Sequence, residues 1–373
     1  MSSAPLTLYG VSHSLYTGRA RSYLIKAGIP YREQPPNTAR YKNHVLPNAG
    51  GRRGIPVIEL DGGDVIRDGA AIIDHFEAAS GHTFSPATPK QRFFSRLFDA
   101  IGAEGLLRPA MHYRWNFDED NLDFLMFHFQ MIMPPGEIGA EMAKKSAGQM
   151  RQAAMAFGVN PDNYTLVEAL YADQLAAMDR HFKQHGYLLG GRPTIGDFGL
   201  LAPMFGHLGR DPKPMVQMQR DAKHVFRWVE RMNRVDPDLV EFTDKSETYL
   251  ADDQIPDTLI DLLRAMAEDF VPETLAAADC INAWLADQSE ITGTECARGV
   301  GFASFEVRGT QVSALAQPYR FYLLKRAQDE YAAMDETNRA EVDALLQSCG
   351  MTPLLEAKLN RDIGRDNNLE VWL

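Results

Sequence analysis

The residues with the clearest chemical potential lie near the start of the 373-residue chain. Ser14 and Thr17 stand where a helical pattern over residues 18–27 follows a short apolar run at 6–11. Backbone N–H groups and the helix dipole favour an anion at such a position, and a hydroxyl can donate a hydrogen bond to it. Serine is also a favoured helix cap, so Ser14 could serve structure alone. Because no cysteine occurs before Cys280, disulfide exchange by this segment is excluded.

Two further groups follow within the next 55 positions. Pro56 opens an apolar strand at 55–60, where a proline cannot donate to a sheet and an X-Pro bond is a candidate cis peptide. Asp68 follows a hairpin turn at 61–64 and begins the next helical pattern, which runs to residue 79. Its carboxylate could bind an ammonium group, while the free N–H groups of that helix could bind a carboxylate. Asp68 could equally be only a helix cap.

These groups are positioned by a β-α-β unit, a β-hairpin and a helix, which predicts a small α/β domain of thioredoxin-like arrangement over residues 1–82. Helical periodicity then predicts an all-helical domain at 88–250, with an insertion or broken helices at 116–163. We expect a third segment, 251–373, to be mostly helical with a β-hairpin at 302–312. The fold class is therefore an α/β domain, an all-α domain and an additional extension.

At this point the sequence resembles the glutathione S-transferases, a family with a cis-proline before the third strand of a thioredoxin-like domain. A fourth motif, Pro193-Thr194-Ile195-Gly196-Asp197, matches the Ser/Thr-x-x-Asp box that caps a buried helix in the family's helical domain. Each motif is weak alone. Their order and spacing from residue 6 to about residue 235 make the resemblance specific.

The resemblance implies that glutathione is bound as a co-substrate in the first domain. Ser14 would donate to its sulfur, and Tyr16 is the alternative, since other branches of the family use a tyrosine. The backbone of Ile55, before Pro56, would pair with the cysteinyl part of the tripeptide.

The charged ends of glutathione would bind on either side of that position. Asp68 would face the γ-glutamyl ammonium, and Arg52 or Arg53 could reach the glycyl carboxylate. Gly69 departs from the family pattern, which usually has serine there. The hydroxyl donor for the γ-glutamyl carboxylate is lost, and affinity for glutathione could be reduced by the roughly 1.5–3 kcal/mol that such a bond contributes.

The second substrate is expected to be a small apolar electrophile held by the helical domain. Seven of the 16 methionines fall between Met111 and Met155, interleaved with aromatic residues. The common meaning of such a run is helix core. The alternative is a pliable apolar substrate wall that includes Met111, Tyr113 and Trp115.

Composition excludes several other classes. With 38 basic and 50 acidic residues, the net charge of −12 and the pI near 5.3 argue against nucleic-acid binding. Neither a membrane-spanning run nor a signal peptide is evident, so we expect no membrane association and a cytoplasmic location. Three scattered cysteines and the histidine spacing predict no metal site.

The expected function is that of a glutathione S-transferase, which lowers the pKa of the glutathione thiol and adds the thiolate to an electrophile. One alternative is a non-catalytic binding or scaffold protein that keeps the fold. Another is a glutathione-dependent lyase, isomerase or dehalogenase. By analogy with the family, we expect a homodimer.

Overall fold

The sheet expected near the N-terminus is present in a computed structural model of the chain, which describes residues 6–373. Its order is β2-β1-β3-β4, with β1 parallel to β2 and the other two pairs antiparallel. The strands are β1 Leu6–Tyr9, β2 Tyr31–Gln34, β3 Val57–Glu59 and β4 Val65–Arg67. Residues 1–5 lie outside the described residues. They belong to the predicted 1–82 domain, and the prediction of no signal peptide rests on them.

Helices cover this sheet and complete the predicted thioredoxin-like arrangement. They are α1 Leu15–Lys26, α2 Leu46–Asn48, preceded by a π-helical turn at Tyr41–Val45, and α3 Gly69–Ser80. Strand residues alternate between the two faces of a sheet. Accordingly, Leu8 and Ile58 pack with Ala20, Leu24 and Ile72 of the helices on one face.

The second part of the chain is helical, as predicted. Its helices are α4 Pro89–Gly105, α5 Leu107–Trp115, α6 Asp118–Met131, α7 Glu137–Ala153, α8 Tyr164–Phe182, α9 Ile195–Gly206, α10 Pro212–Asp221 and α11 Lys223–Met232. The segment 116–163 forms α6 and α7, separated at Pro134-Pro135-Gly136, so the expectation of broken helices is confirmed.

The predicted capping box at the start of α9 is also confirmed. The buried Asp197 carboxylate accepts hydrogen bonds from the backbone N–H groups of Thr194 and Leu188, at 2.8 and 3.1 Å. It also accepts from the indole N–H of Trp228, at 3.0 Å. One carboxylate thus fixes the start of α9 against two other segments of the helical core.

The extension packs on the helical domain through a shared hydrophobic core. Its elements are α12 Asp257–Ala286, β5 Phe302–Val307, β6 Thr310–Leu315, α13 Pro318–Ala332, α14 Glu336–Cys349, β7 Ile363–Asp366 and β8 Leu369–Trp372. The β5–β6 hairpin was predicted, whereas the β7–β8 hairpin was not. Trp372 is completely buried in the shared core, so the C-terminal segment is packed against the rest of the chain. Across residues 6–373, no helix is long and apolar enough to cross a bilayer.

Glycines allow the central helices α4 and α9 to approach closely. A Cβ added at Gly102 of α4 would lie 2.3 Å from the backbone nitrogen of Leu200, and one at Gly199 would lie 2.7 Å from the Cα of Asp99. Neither neighbour is the end of a flexible side chain. The distance between the two helices is therefore set by the absence of side chains at these positions.

We predict that Gly102→Ala destabilises the protein by about 1–3 kcal/mol, because the methyl group forces the helix backbones apart. Gly148→Ala is the matched control, since a Cβ there meets no atom within 4 Å in the interior of α7. It should stabilise the protein by about 0.5–1 kcal/mol. Urea unfolding of both variants measures the two effects, and equal changes in the free energy of unfolding would contradict this account of the packing.

Candidate functional site

Ser14 is the N-cap of α1, as the helical pattern indicated. Its Oγ accepts the backbone N–H of Thr17 at 3.3 Å, so the hydroxyl satisfies one free donor of the helix. The hydroxyl proton has no acceptor among residues 6–373. Ser14 is only partly buried. The side chain is therefore both a cap and an available donor beside the positive end of a helix.

Tyr16 lies two residues further, in the first turn of α1, and its hydroxyl has no hydrogen-bond partner within the described residues. Burial raises the pKa of this phenol well above its usual value, and the negative charges of Glu104 and Asp68 raise it further. Tyr16 is consequently a neutral donor at physiological pH. Two acidic groups near the hydroxyl oppose the accumulation of negative charge there.

The Ile55–Pro56 bond is cis, as predicted for this position. The carbonyl of Pro56 accepts the N–H of Asp68 at 3.0 Å, which ties the start of α3 to this loop. In the part of the chain that the structure describes, the backbone N–H and C=O of Ile55 make no hydrogen bond. A ligand with a peptide group could pair with them, as a neighbouring strand would.

Asp68 is the N-cap of α3, and its carboxylate accepts three hydrogen bonds from other residues of the chain. Its Oδ2 accepts the N–H groups of Ala70 and Ala71, both at 3.2 Å. Its Oδ1 accepts the hydroxyl of Tyr319, 251 residues along the chain, at 2.7 Å. The guanidinium of Arg365 lies 3.6 Å from Oδ2. Oδ2 thus has two hydrogen-bond donors and a nearby cation, Oδ1 has one donor, and both Tyr319 and Arg365 come from the extension.

The predicted receptors for the opposite end of the ligand also contact the extension. The guanidinium of Arg52 lies 2.9 Å from the carboxylate of Glu295 and donates to the carbonyl of Cys296 at 3.1 Å. Arg53 is exposed, and its carbonyl accepts from the guanidinium of Arg298. The loop that precedes β5 therefore lies along the predicted glycyl position.

The β7–β8 hairpin is fastened to strand β4 beside Asp68. Asn368, in the turn, accepts the backbone N–H of Arg67 at 3.1 Å and donates to the carbonyls of Asn48 and Val65, both at 2.9 Å. The Arg67 guanidinium pairs with Glu370 at 2.8 Å. The sequence gave no local signal for these contacts, because they join residues about 300 positions apart.

The predicted substrate wall is packed into cores. Met111 and Trp115 are buried against α6 and α7, while Tyr113 is buried in the main core beside Tyr171. In this structure none of the three lines an open cleft, because the helix pair α6–α7 covers the face of α5 that carries Met111 and Trp115.

Sequence reasoning missed Glu104, a buried carboxyl group on α4. Its Oε2 has no hydrogen-bond partner, and burial raises the pKa of the group to about 7, although the positive charge of Arg320 opposes this. A signal was present in the sequence, since Glu104 falls on the apolar stripe that carries Leu97 and Ile101. An acid in such a stripe is a candidate for a perturbed pKa near a site.

His13, between Ser12 and Ser14, is not a suitable base for a thiol. Burial lowers the pKa of its imidazole to about 3, and the nearby positive charge of Arg114 lowers it further. The ring packs edge-on or tilted against His128 and Phe129. An imidazole with so low a pKa is a poor proton acceptor for a thiol. Ionisation of a thiol at this site would therefore depend on hydrogen bonds and on the N-terminus of α1. Within residues 6–373, no cluster of His, Cys, Asp and Glu could hold a metal ion.

We predict that Glu104 makes the folded state less stable as pH rises from about 4.5, its ordinary pKa, to about 7. The folded protein binds this proton more tightly than the unfolded chain, so the contribution is fully present below pH 4.5 and lost above pH 7. Glu104→Gln should remove this slope and be more stable than the wild type at pH 8 by about 1–3 kcal/mol. Unfolding at pH 5 and pH 8 measures it, with the exposed Glu119→Gln as control. An unchanged slope in Glu104→Gln would contradict the assignment.

Comparison with known proteins locates two conserved domain types on the chain. A family model described as the glutathione S-transferase N-terminal domain matches residues 8–84, and one described as the C-terminal domain matches residues 161–231. A search of curated proteins found no significant match.

Several solved structures are similar at low identity. A β-etherase from Sphingobium is 15% identical over 65% of this chain and 100% of its own, with a TM-score of 0.44. A glutathione transferase from Phanerochaete chrysosporium is 16% identical over 63% and 98% of the two chains, with a TM-score of 0.44. A glutathione S-transferase from Methylobacterium radiotolerans, in complex with glutathione sulfonate, is 13% identical over 66% and 98%, with a TM-score of 0.38.

The order of the two matched domains agrees with the fold described above, in which a thioredoxin-like domain precedes a helical domain. The match to the first domain includes Ser14, Pro56 and Asp68, and the match to the second includes the Thr194–Asp197 capping box. The chain therefore carries the N-terminal and C-terminal domains of the glutathione S-transferase family, at residues 8–84 and 161–231.

Proposed function

We propose that the protein is a glutathione-dependent transferase, which ionises the glutathione thiol and directs it at an apolar electrophile. The proposal rests on two groups of the first domain that a ligand could bind, the Ser14 hydroxyl and the backbone of Ile55. Among residues 6–373, the Ser14 hydroxyl at the start of α1 has no acceptor for its proton, and the N–H and C=O of Ile55, beside the cis bond, make no hydrogen bond. Together they suit a cysteinyl residue, which needs a donor for its sulfur and a partner for its peptide groups.

The chemistry required of this site is modest. A cysteine thiol has an ordinary pKa of about 8.5, and each unit of lowering corresponds to about 1.4 kcal/mol. A hydrogen bond from a hydroxyl and the partial positive charge of a helix N-terminus are each of this order. No general base is required, which agrees with the absence of a suitable imidazole at His13.

Electrostatics favours Ser14 over Tyr16 as the residue that contacts sulfur. The Ser14 hydroxyl lies at the N-terminal end of α1, whereas the Tyr16 hydroxyl lies in the field of Glu104 and Asp68. A thiolate beside Tyr16 would be repelled by these acidic groups.

The apolar substrate is better placed beside Tyr16 and Phe157 than against the predicted residues. These two side chains are the partly buried members of a small cluster next to Ser14, whose other members, Leu15, Leu107 and Ala202, are buried. This cluster, unlike Met111 and Trp115, adjoins the start of α1.

A homodimer and a cytoplasmic location also remain predictions. Light scattering after gel filtration tests the homodimer.

We predict that Ser14→Ala raises the pKa of bound glutathione by about one unit or more, because the thiolate loses its hydroxyl donor. Ultraviolet difference absorbance of the thiolate, measured against pH at saturating glutathione, reports this value. Ser12→Ala is the matched control, since Ser12 lies in the same loop and its side chain bonds to none of the described residues. Ser14→Ala also removes an N-cap, so its folding is verified by unfolding curves.

An equal thiol pKa in Ser14→Ala and Ser12→Ala would remove Ser14 from the mechanism. If Tyr16→Phe then abolished the thiolate absorbance, Tyr16 would take its place. If none of the three variants changed it, the transferase proposal itself would fail.

A second candidate function is a binding or scaffold protein without catalysis. The contacts of Asp68 and Arg52 favour a scaffold protein. Both residues were predicted to bind the ends of glutathione, and both already bind other residues of the chain. Calorimetric titration separates the two candidates. Absence of binding at millimolar glutathione, for the wild type and for variants with a loosened extension, supports the scaffold.

A further inference from the structure

We propose that the C-terminal extension is an intramolecular ligand of the glutathione site. It occupies the positions for the two charged ends of the tripeptide and leaves the central thiol position open. This inference rests on the proposed function, because it assigns the end positions to Asp68 and Arg52. It adds that glutathione binds in competition with the chain itself.

At the ammonium end, the competition follows from the limited number of hydrogen bonds that a carboxylate accepts, about four. The two N–H groups of α3 and Arg365 lie on Oδ2 of Asp68, and Tyr319 donates to Oδ1. These three hydrogen bonds leave one acceptor position, on Oδ1 beside Tyr319, so an ammonium that makes more than one bond to Asp68 must displace Tyr319 or Arg365. Tyr319 is the direct rival, because its bond of 2.7 Å is the shortest of the four contacts.

At the carboxylate end, the rival is an acidic residue of the chain. Glu295 pairs with Arg52 at 2.9 Å, and Glu370 lies 3.8 Å from the same guanidinium. A glycyl carboxylate carries the same charge and geometry as the Glu295 side chain, which is 42% exposed at the edge of the site. The extension thus presents an acid to Arg52 and a donor to Asp68, matching in charge the two ends of glutathione.

The part of the extension that can loosen is the turn of the β7–β8 hairpin rather than the whole extension. The helices of the extension are held by buried ion pairs, in which Arg108 contacts Asp269 and Glu273, and Arg320 contacts Glu273 at 2.8 Å. The turn of the hairpin is joined to the first domain at three points by the side chain of Asn368, and its strands are held by the Arg67–Glu370 pair and by buried Trp372. Loss of the Asn368 side chain should loosen this turn and leave the helices in place.

Tyr319→Phe tests the ammonium end with a closely matched control. It removes one hydroxyl, and glutathione should then bind about tenfold more tightly, as expected when one hydrogen bond to a charged group no longer competes. Tyr331→Phe removes a bond of the same kind from the same helix, since the Tyr331 hydroxyl donates to Asp343 at 2.7 Å away from the site. Its affinity for glutathione, measured by calorimetry, should equal that of the wild type.

Asn368→Gly tests the hairpin. Glycine accommodates the φ of 66° at this position, so the substitution removes the three side-chain bonds without straining the turn. Asn367→Gly is the control, because Asn367 also has a positive φ, 43°, in the same turn and makes no side-chain hydrogen bond with the described residues. Hydrogen exchange should accelerate in residues 363–372 of Asn368→Gly alone, and glutathione affinity should rise in parallel.

The outcomes separate this inference from the function on which it rests. Tighter binding in Tyr319→Phe and Asn368→Gly, with both controls unchanged, supports competition. Equal binding in all variants, with a thiolate signal that still depends on Ser14, overturns competition and leaves the transferase proposal intact. Weaker binding in Tyr319→Phe overturns it too, because the hydroxyl would then hold the ligand. Faster exchange in Asn368→Gly without any binding of glutathione overturns both proposals.

Discussion

The Asp68 carboxylate is the point at which the three parts of this protein constrain one another. It begins α3, which closes the thioredoxin-like sheet, and its own N–H is tied to the cis-proline loop. It also receives a hydroxyl and a guanidinium from the extension. Because a carboxylate accepts few hydrogen bonds, each partner that joins it excludes another. A ligand whose ammonium makes more than one bond to Asp68 must therefore displace a contact that now joins the extension to the first domain.

The extension is nevertheless a structural part of the molecule. Buried Arg19 pairs with Asp99 of α4, and Asp99 lies 3.5 Å from Arg326 of α13, which also contacts Asp74 of α3. Removing one partner of a buried ion pair leaves an uncompensated charge, at a cost of about 3–5 kcal/mol. Such a chain of charges through α1, α4, α13 and α3 favours a single cooperative unit. Movement is then confined to segments at the surface, such as the hairpin turn at Asn368.

Local patterns were sufficient to predict most of the elements and several of their ends, but not the β7–β8 hairpin. The strands, the cis bond before Pro56 and the capping box at Thr194 depend on neighbours within a few residues, and all are present. The Tyr319–Asp68 bond could not be predicted, because it joins residues 251 positions apart and neither residue is unusual in its own segment. Met111 and Trp115 could serve a core or a pocket from sequence alone. The packing of α6 and α7 decides between the two, and no local pattern records how those helices dock.

Gly69, where the sequence departs from the family pattern, lies between the Asp68 cap and the buried Arg19 side chain. A Cβ at this position would lie 3.4 Å from the Cδ of Arg19, so the glycine sits directly over the side chain that pairs with Asp99. A serine there would place a hydroxyl beside this buried cation and next to Asp68. In this chain the hydroxyl next to Asp68 comes from Tyr319 instead. The Tyr319 hydroxyl donates to Asp68, so it does not restore the donor to a ligand carboxylate that position 69 lacks.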